Sequence, residues 1–390
     1  MDNWLLYLLI VGAIAIGWWL GRRERFGRKS AEAMGGNYYE GLNYLLKEEP
    51  DRAVATFIQD LEVNSETLET HLALGGLLRR RGELEKAVVV HENILAKAKL
   101  EHGAILNVRL ELARDYLLAG LLDRAESMLL ELVQEEGVIK RESLRLLLEI
   151  FEREKEWQKA AEIAQRLAVG TESETYERAI SHHYCEIAVD ALNTGHQESA
   201  RLAIREAIGH DANNARTSLV LGDIELRDSR YTDAIRALQR IIVQNPIYVP
   251  ESLDLLKQAY DRGAQPQEQL REYLLGCLEV TPSISIVLTL AKSVREEKGD
   301  EAVSRFIADH LKRNPTIRGL TQLIDLHIDN TDGVARENLS ILRSFAEALV
   351  ADKPAYRCNS CGFDGKKMRW HCPSCKGWAT IEPIVGLEGE

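Results

Sequence analysis

Two patterns of apolar and polar positions divide the chain. From Trp4 to Leu20 it reads WLLYLLIVGAIAIGWWL, 17 residues without a charge. As a helix this run is about 26 Å long, the lower limit for crossing a bilayer core. Trp4 and Tyr7 near one end and Trp18 and Trp19 at the other fit the aromatic belts of the two interfaces. Arg22, Arg23, Arg25, Arg28 and Lys29 follow, whereas only Asp2 precedes. The positive-inside rule then puts the N-terminus outside and the rest of the chain in the cytoplasm. A signal peptide carries its positive charge before the apolar run and a small-residue cleavage site after it. Here the charge order is reversed and no Ala-x-Ala follows, so an uncleaved anchor is expected. Ala13, Gly17 and Gly21 recur at every fourth position. They offer a small-residue face to another membrane helix, or reflect how common Gly and Ala are in such spans.

The second pattern repeats with a period near 34. Gly41 is followed by Ala53 and Phe57, Gly75 by Ala87 and His91, and Ala113 by Ala125 and Leu129. Leu148, Ala160 and Ala164 continue the series, then Ala188, Ala200 and Ile204, and then Gly222, Ala234 and Leu238. Leu290, Ala302 and Phe306 form a later copy, while 251–281 and 316–345 read as degenerate helical pairs. The small first residue lets one helix approach its partner closely, and the alanine twelve residues on is the matching contact. A glycine between them makes the turn, and the larger residue fills the groove toward the next pair. This spacing resembles tetratricopeptide repeats. Intervals of 38, 35 and 40 between second-helix alanines make the array locally irregular. Stacked pairs of this kind present a surface that usually holds peptides or partner proteins.

Composition agrees with a helical protein and narrows the function. Nine prolines, 27 glycines and 6% aromatics leave little room for a sandwich or barrel. The net charge is −12, and residues 1–30 carry +3, so the remainder is acidic and no chain-wide nucleic-acid surface is expected. No Ser/His/Asp order, H-E-x-x-H or P-loop is present to anchor a reaction, so no catalytic residue is assigned. Gly75-Gly76 belongs to repeat packing, since no strand precedes it and no Lys-Ser/Thr follows. His182 and His183 are neighbours on a helix, point in different directions, and read as ordinary helix residues. Cys185 and Cys277 sit in apolar helical context and are expected to be buried thiols.

The remaining four of six cysteines lie near the C-terminus, in RCNSC and HCPSC, with ten residues between the pairs. Cys358, Cys361, Cys372 and Cys375 suit one tetrathiolate site, because each C-x2-C knuckle brings two sulfurs to a metal from one side. Gly362 fits the turn after the first pair and Pro373 stiffens the second. Four sulfurs fill the coordination shell of one divalent metal, zinc or iron, and favour a structural role; a redox disulfide pair is the alternative. Phe363, Trp370 and Trp378 are expected to shield the metal and form the small core, while Tyr356, Trp370 and Trp378 also offer apolar anchors for docking against the nearby final repeats. Residues 353–380 carry a net +5, so this surface is expected either to dock on the acidic array or to bind nucleic acid as zinc ribbons do.

The anchor, the repeats and the ending YRCNSCGF…WHCPSCKGWATIEPIVGLEG together resemble the lipopolysaccharide assembly protein B family of Gram-negative bacteria. The resemblance covers the whole chain and is most specific in the tail. It implies metal ligation by Cys358, Cys361, Cys372 and Cys375. It also implies an inner-membrane adaptor that limits lipopolysaccharide synthesis by helping the membrane protease FtsH degrade the deacetylase that commits precursor to lipid A. The resemblance implies FtsH and lipopolysaccharide-synthesis proteins as partners; the inner membrane is expected too, a homodimer is left open, and no nucleic acid is expected. The expected fold is all-α: a tetratricopeptide superhelix with a transmembrane helix and a rubredoxin-like or zinc-ribbon-like module. The boundaries are 1–21 for the anchor, 22–33 for a basic linker, 34–350 for the array and 351–390 for the metal module. A rubredoxin-like electron carrier and a nucleic-acid-tethering scaffold are the competing functions.

Overall fold

The computed structural model describes residues 43–44, 52, 55–56, 67–97, 100–169 and 172–390. The anchor, the basic linker and the first repeat positions Gly41, Ala53 and Phe57 lie outside the described residues. Among the described residues, no helix is long and apolar enough to cross a membrane. The chain divides into two compact units, Met1–Glu154 and Lys155–Glu390.

In the first unit α1 (Leu68–Arg80) packs on α2 (Leu84–Lys97), α3 (His102–Leu118) on α4 (Leu122–Leu132), and α5 (Gly137–Glu154) follows. Leu74, Leu78, Ala87, Val90, Ile94 and Val108 form one apolar cluster between α1, α2 and α3. The repeat spacing also brings polar groups inside. The His91 ring lies against Gly75, in space that a Cβ would take. His91 Nδ1 pairs with Asp115, and both side chains are fully buried. Arg79 reaches Asp115 at 2.9 Å and Glu111 at 2.5 Å, so the buried Asp115 carboxylate is shared between the His91 ring and the Arg79 guanidinium.

The second unit opens with α6 (Trp157–Leu167) and continues with α7 (Ser173–Asn193) and α8 (Gln197–His210). Next come α9 (Ala215–Arg227), α10 (Tyr231–Gln239) and the short α11 (Ile241–Gln244), with a 3-10 turn at Pro246–Tyr248. Then follow α12 (Val249–Arg262), α13 (Gln267–Val280), α14 (Ile284–Arg313), α15 (Ile317–Asp329) and α16 (Val334–Val350). α14 is two helices joined at Gly299, whose φ of 76° and ψ of −179° break the helix between Leu290 and Ala302, where a repeat turn is expected. Left-handed residues close other pairs too. Gly195 has φ 81°, but Ser229 at 60° and Ala264 at 47° hold the same conformation without glycine's freedom.

The packing alanines Ala87, Ala113, Ala125, Ala160, Ala188, Ala200 and Ala234 are all fully buried. Two expected positions differ. Leu148 is half-buried beside fully buried Leu147, and Ala302 is half-buried beside buried Val303. In each case the neighbouring residue, not the one the spacing predicts, is buried in the core.

The close approach has a measurable consequence. A Cβ on Gly222 would stand 2.5 Å from the Leu238 side chain sixteen residues on. Gly222→Ala is therefore expected to destabilise the second unit by roughly 1–3 kcal/mol, as overpacking does. Urea unfolding followed by helicity should show it, while Gly209→Ala, with no atom within 4 Å of its added Cβ, should not lower the midpoint.

Candidate metal centre

Three short antiparallel strands frame the C-terminal module: β1 (Tyr356–Cys358), β2 (Asp364–Gly365) and β3 (Ile381–Pro383), in the order β2-β1-β3. The two C-x2-C segments fold alike. Gly362 N–H donates to Cys358 O at 2.9 Å, and Cys358 N–H to Phe363 O at 2.8 Å. The second knuckle repeats both bonds, Lys376 N–H to Cys372 O at 3.0 Å and Cys372 N–H to Gly377 O at 2.9 Å. Gly362 and Lys376, four residues after the first cysteine of each pair, both take positive φ, 76° and 60°. Glycine does this freely, whereas Lys376 is held by its ammonium bond to Pro373 O at 2.9 Å.

This doubled turn brings the four expected cysteines together. The sulfurs of Cys358, Cys361, Cys372 and Cys375 all lie within 4.8 Å of one another. Cys358 and Cys372 are buried, and Cys361 and Cys375 sit at the surface. Burial opposes ionisation of Cys358, but hydrogen bonds with Thr380 and with the backbone of Cys361 and Ser360 outweigh it, and its thiol falls to about 6. The Phe363 backbone likewise lowers Cys361. Cys375 accepts from the Gly377 backbone, yet burial and its three sulfur neighbours push it up to about 11. Charge on some sulfurs thus resists charge on the last, and a divalent cation at their centre is what would let all four be thiolates. The donor set fits a tetrahedral metal and leaves no open position for substrate. Cys185 and Cys277 are elsewhere and buried, and burial raises the Cys185 thiol to about 12.

The module's core differs from the expected one. Cys358, Cys372 and Ile381 pack with Tyr356, Phe363 and Met368, so Phe363 does serve inside. Trp370 and Trp378 instead face the helices. Trp378 stacks on His182 at 5.2 Å between ring centroids and meets the edges of His183 at 5.4 Å and Trp157 at 6.0 Å. Trp370 lies 4.8 Å from Tyr248, and the Arg216 guanidinium sits 5.8 Å from its centre. His182 and His183 are therefore not ordinary helix residues but buried ring partners of the module. The adjacent His-His pair is the one signal the sequence carries here, and repeat periodicity does not distinguish it from core.

Polar bonds extend the contact along the first-helix ends of successive pairs. Tyr356 OH donates to Glu251 at 2.7 Å on α12, and Tyr248 OH to Ile381 O at 3.1 Å. At the far end the Glu390 side chain accepts from Ser283 and Ser285 hydroxyls, each at 2.6 Å, and from Ser285 N–H at 3.1 Å at the start of α14. Arg318 on α15 donates to it at 2.9 Å, and Ile317 N–H donates to Leu387 O at 2.8 Å. None of these array residues was singled out from the sequence. The expected attraction of a basic module for an acidic array does not organise the contact. Lys353, Arg357 and Lys366 pair with Glu388, Asp364 and Asp352 of the module's own segment.

Burial holds His182 well below the ordinary histidine value of 6.5, and Arg216 and His183 add repulsion. Well above pH 6.5 neither folded nor unfolded His182 carries the proton, so this group adds no slope there. Below it the unfolded chain binds the proton first, and stability falls by up to about 1.4 kcal/mol per pH unit. Thermal midpoints should drop between about pH 7 and pH 5.5, and the drop should be shallower in His182→Phe. Equal slopes in the two proteins would exclude this source of pH dependence.

Residues 356–383 match the family model of the rubredoxin metal binding domain, and residues 185–247 that of the tetratricopeptide repeat. The chain is 36% identical over 389 residues to lipopolysaccharide assembly protein B of Escherichia coli (strain K12), covering 99% of each. It is 30% identical over 396 residues to the protein of the same name in Haemophilus influenzae, covering 98% of this chain and 99% of the other. Among solved structures, a tetratricopeptide repeat protein from Parabacteroides merdae aligns with 67% of this chain and 99% of its own at 11% identity and a TM-score of 0.34.

Proposed function

Because the chain belongs to the lipopolysaccharide assembly protein B family, we propose that it is a membrane-anchored cytoplasmic adaptor that limits lipopolysaccharide synthesis. It does so by presenting the deacetylase that commits precursor to lipid A to the membrane protease FtsH. One observation supports an adaptor above the rest: the four-sulfur module is fastened across the first-helix ends of successive repeats, so that module and array offer a single composite surface. Cys358, Cys361, Cys372 and Cys375 hold one zinc or iron ion there, which supplies cross-linking of the two knuckles rather than a reaction. Residues 1–21 keep this surface in the plane of the membrane protease, raising the effective concentration of the pair.

The test is the half-life of the deacetylase in cells by pulse-chase. It should lengthen to the same extent in a strain lacking the protein, in a chain lacking residues 1–21 and in Cys372→Ser. An unchanged half-life in all three would refute the adaptor role. An active periplasmic reporter fused at the C-terminus would overturn the topology. The surface position of Cys361 and Cys375 favours one second function, electron transfer through iron. A colourless protein carrying zinc after purification from its own cells would exclude it.

A further inference from the structure

We propose that the outer face of α16 is a self-association surface, on which a second copy of this chain packs its own α16 antiparallel about Phe345. Repeat arrays normally end in a helix whose outer face is polar, because no further unit covers it. α16 ends this array the other way. Val334, Ile341, Leu342, Phe345 and Leu349 are 72%, 51%, 55%, 64% and 63% exposed, and Ala346 is the helix's one buried residue. Spacings of three, four, seven and eleven put these five side chains on one face. Its charges lie elsewhere: Arg343 bonds Asp325 on α15 at 2.5 Å and pairs with Glu347, and Arg336 pairs with Asp332.

What covers such a face is suggested by the array itself. In the pairs before it, the second helix packs on the first helix of the next unit, as α8 does on α9, α10 on α12 and α13 on α14. The open face of α16 continues that interface and calls for another helix with an apolar ridge. α16 supplies one, and the ridge is nearly symmetric about Phe345. Ile341 and Leu349 stand four residues to either side, and Leu342 and Ala348 three. A two-fold axis through Phe345 therefore sets apolar residues on apolar residues, Ile341 beside Leu349 of the second copy and Leu342 beside its Ala348. Ridges of every fourth residue interlock at a crossing near −50°, so contact is confined to the middle of the helix. A lipid surface is a poorer match, since helices that lie on membranes carry a polar face rich in Lys and Arg, and the acids of α16 balance its arginines.

The experiment places one new thiol in the full chain, in membranes, and adds a short bismaleimide, with the wild-type chain as background for its native cysteines. Phe345→Cys should give a covalent dimer, because the axis brings the two thiols together. Arg336→Cys, on the opposite side of α16, should not. In mild detergent the wild-type chain should sediment as a dimer, and Phe345→Asp should dissociate on the order of a hundredfold more readily, because a two-fold contact loses the side chain twice. Circular dichroism should show its helices unchanged. A wild-type monomer at tens of micromolar, or equal cross-linking at positions 345 and 336, overturns the proposal. So does a Phe345→Cys thiol shielded from alkylation in membranes without dimer formation, which would mean that a different partner covers the face.

Discussion

Cys372→Ser is expected to release the metal and unfold the C-terminal module while the helices survive. Cys372 is fully buried at the centre of a core made by two cysteines, Ile381 and three partly buried side chains. So few apolar groups cannot offset the chain entropy of about 35 residues, so the metal must supply the difference. Structural zinc contributes about 10–16 kcal/mol of apparent binding free energy at pH 7 in small domains, enough to decide folding outright. The readout is unusually direct. Of the six tryptophans, Trp4, Trp18 and Trp19 precede residue 20, and Trp157, Trp370 and Trp378 all lie in the contact between module and helices. Loss of the module should therefore shift tryptophan emission to the red, abolish bound metal on elemental analysis and leave most of the circular dichroism at 222 nm. Adding Cys358→Ser should change little further, because the four ligands act together. Normal metal content, or an unshifted emission with the metal gone, would contradict a metal-dependent fold.

Trp378→Ala should separate docking from metal binding. The Trp378 indole is 9% exposed and touches Trp157, His182, His183 and His371. Removing a buried tryptophan typically costs about 3–5 kcal/mol. The four sulfurs and the Phe363 core do not depend on it, so the variant should still bind its metal. In urea, the emission of Trp157 should change before helicity is lost, whereas in the wild type the two transitions should coincide. Release of the metal by Trp378→Ala, as by Cys372→Ser, would return Trp378 to the module's own core, the first of the two roles its sequence context suggests.

Periodicity made the helical pairs legible, since the small residues that let helices approach are local, regularly spaced and unambiguous in type. Ala87 and Ala234 are buried where their spacing put them, and Gly222 meets Leu238 as the repeat requires. The one-residue shifts at Leu148 and Ala302 were not legible, because which residue of a helix is buried is set by the neighbouring pairs rather than by the segment itself. The cysteines were legible for a similar reason. Two short knuckles fix the positions of their own sulfurs, and only the fold of ten intervening residues had to bring them together.

The sequence by itself thus determined the repeat and the four-sulfur group, both products of contacts between residues close in the chain. Only the tertiary structure decided where the module rests. Trp378 meets His182 across 196 positions, and Glu390 meets Ser283 across 107. Such contacts leave no period and no short motif, and a histidine facing an indole looks in sequence like any other helix residue. The sequence pointed to docking both through the net charge of residues 353–380 and through the apolar anchors Tyr356, Trp370 and Trp378, but composition does not reveal that Lys353, Arg357 and Lys366 find their counter-ions within the module's own segment. With those charges paired at home, burial of the large aromatic rings decides the contact, since each removes far more apolar surface from water than a screened surface ion pair can offset.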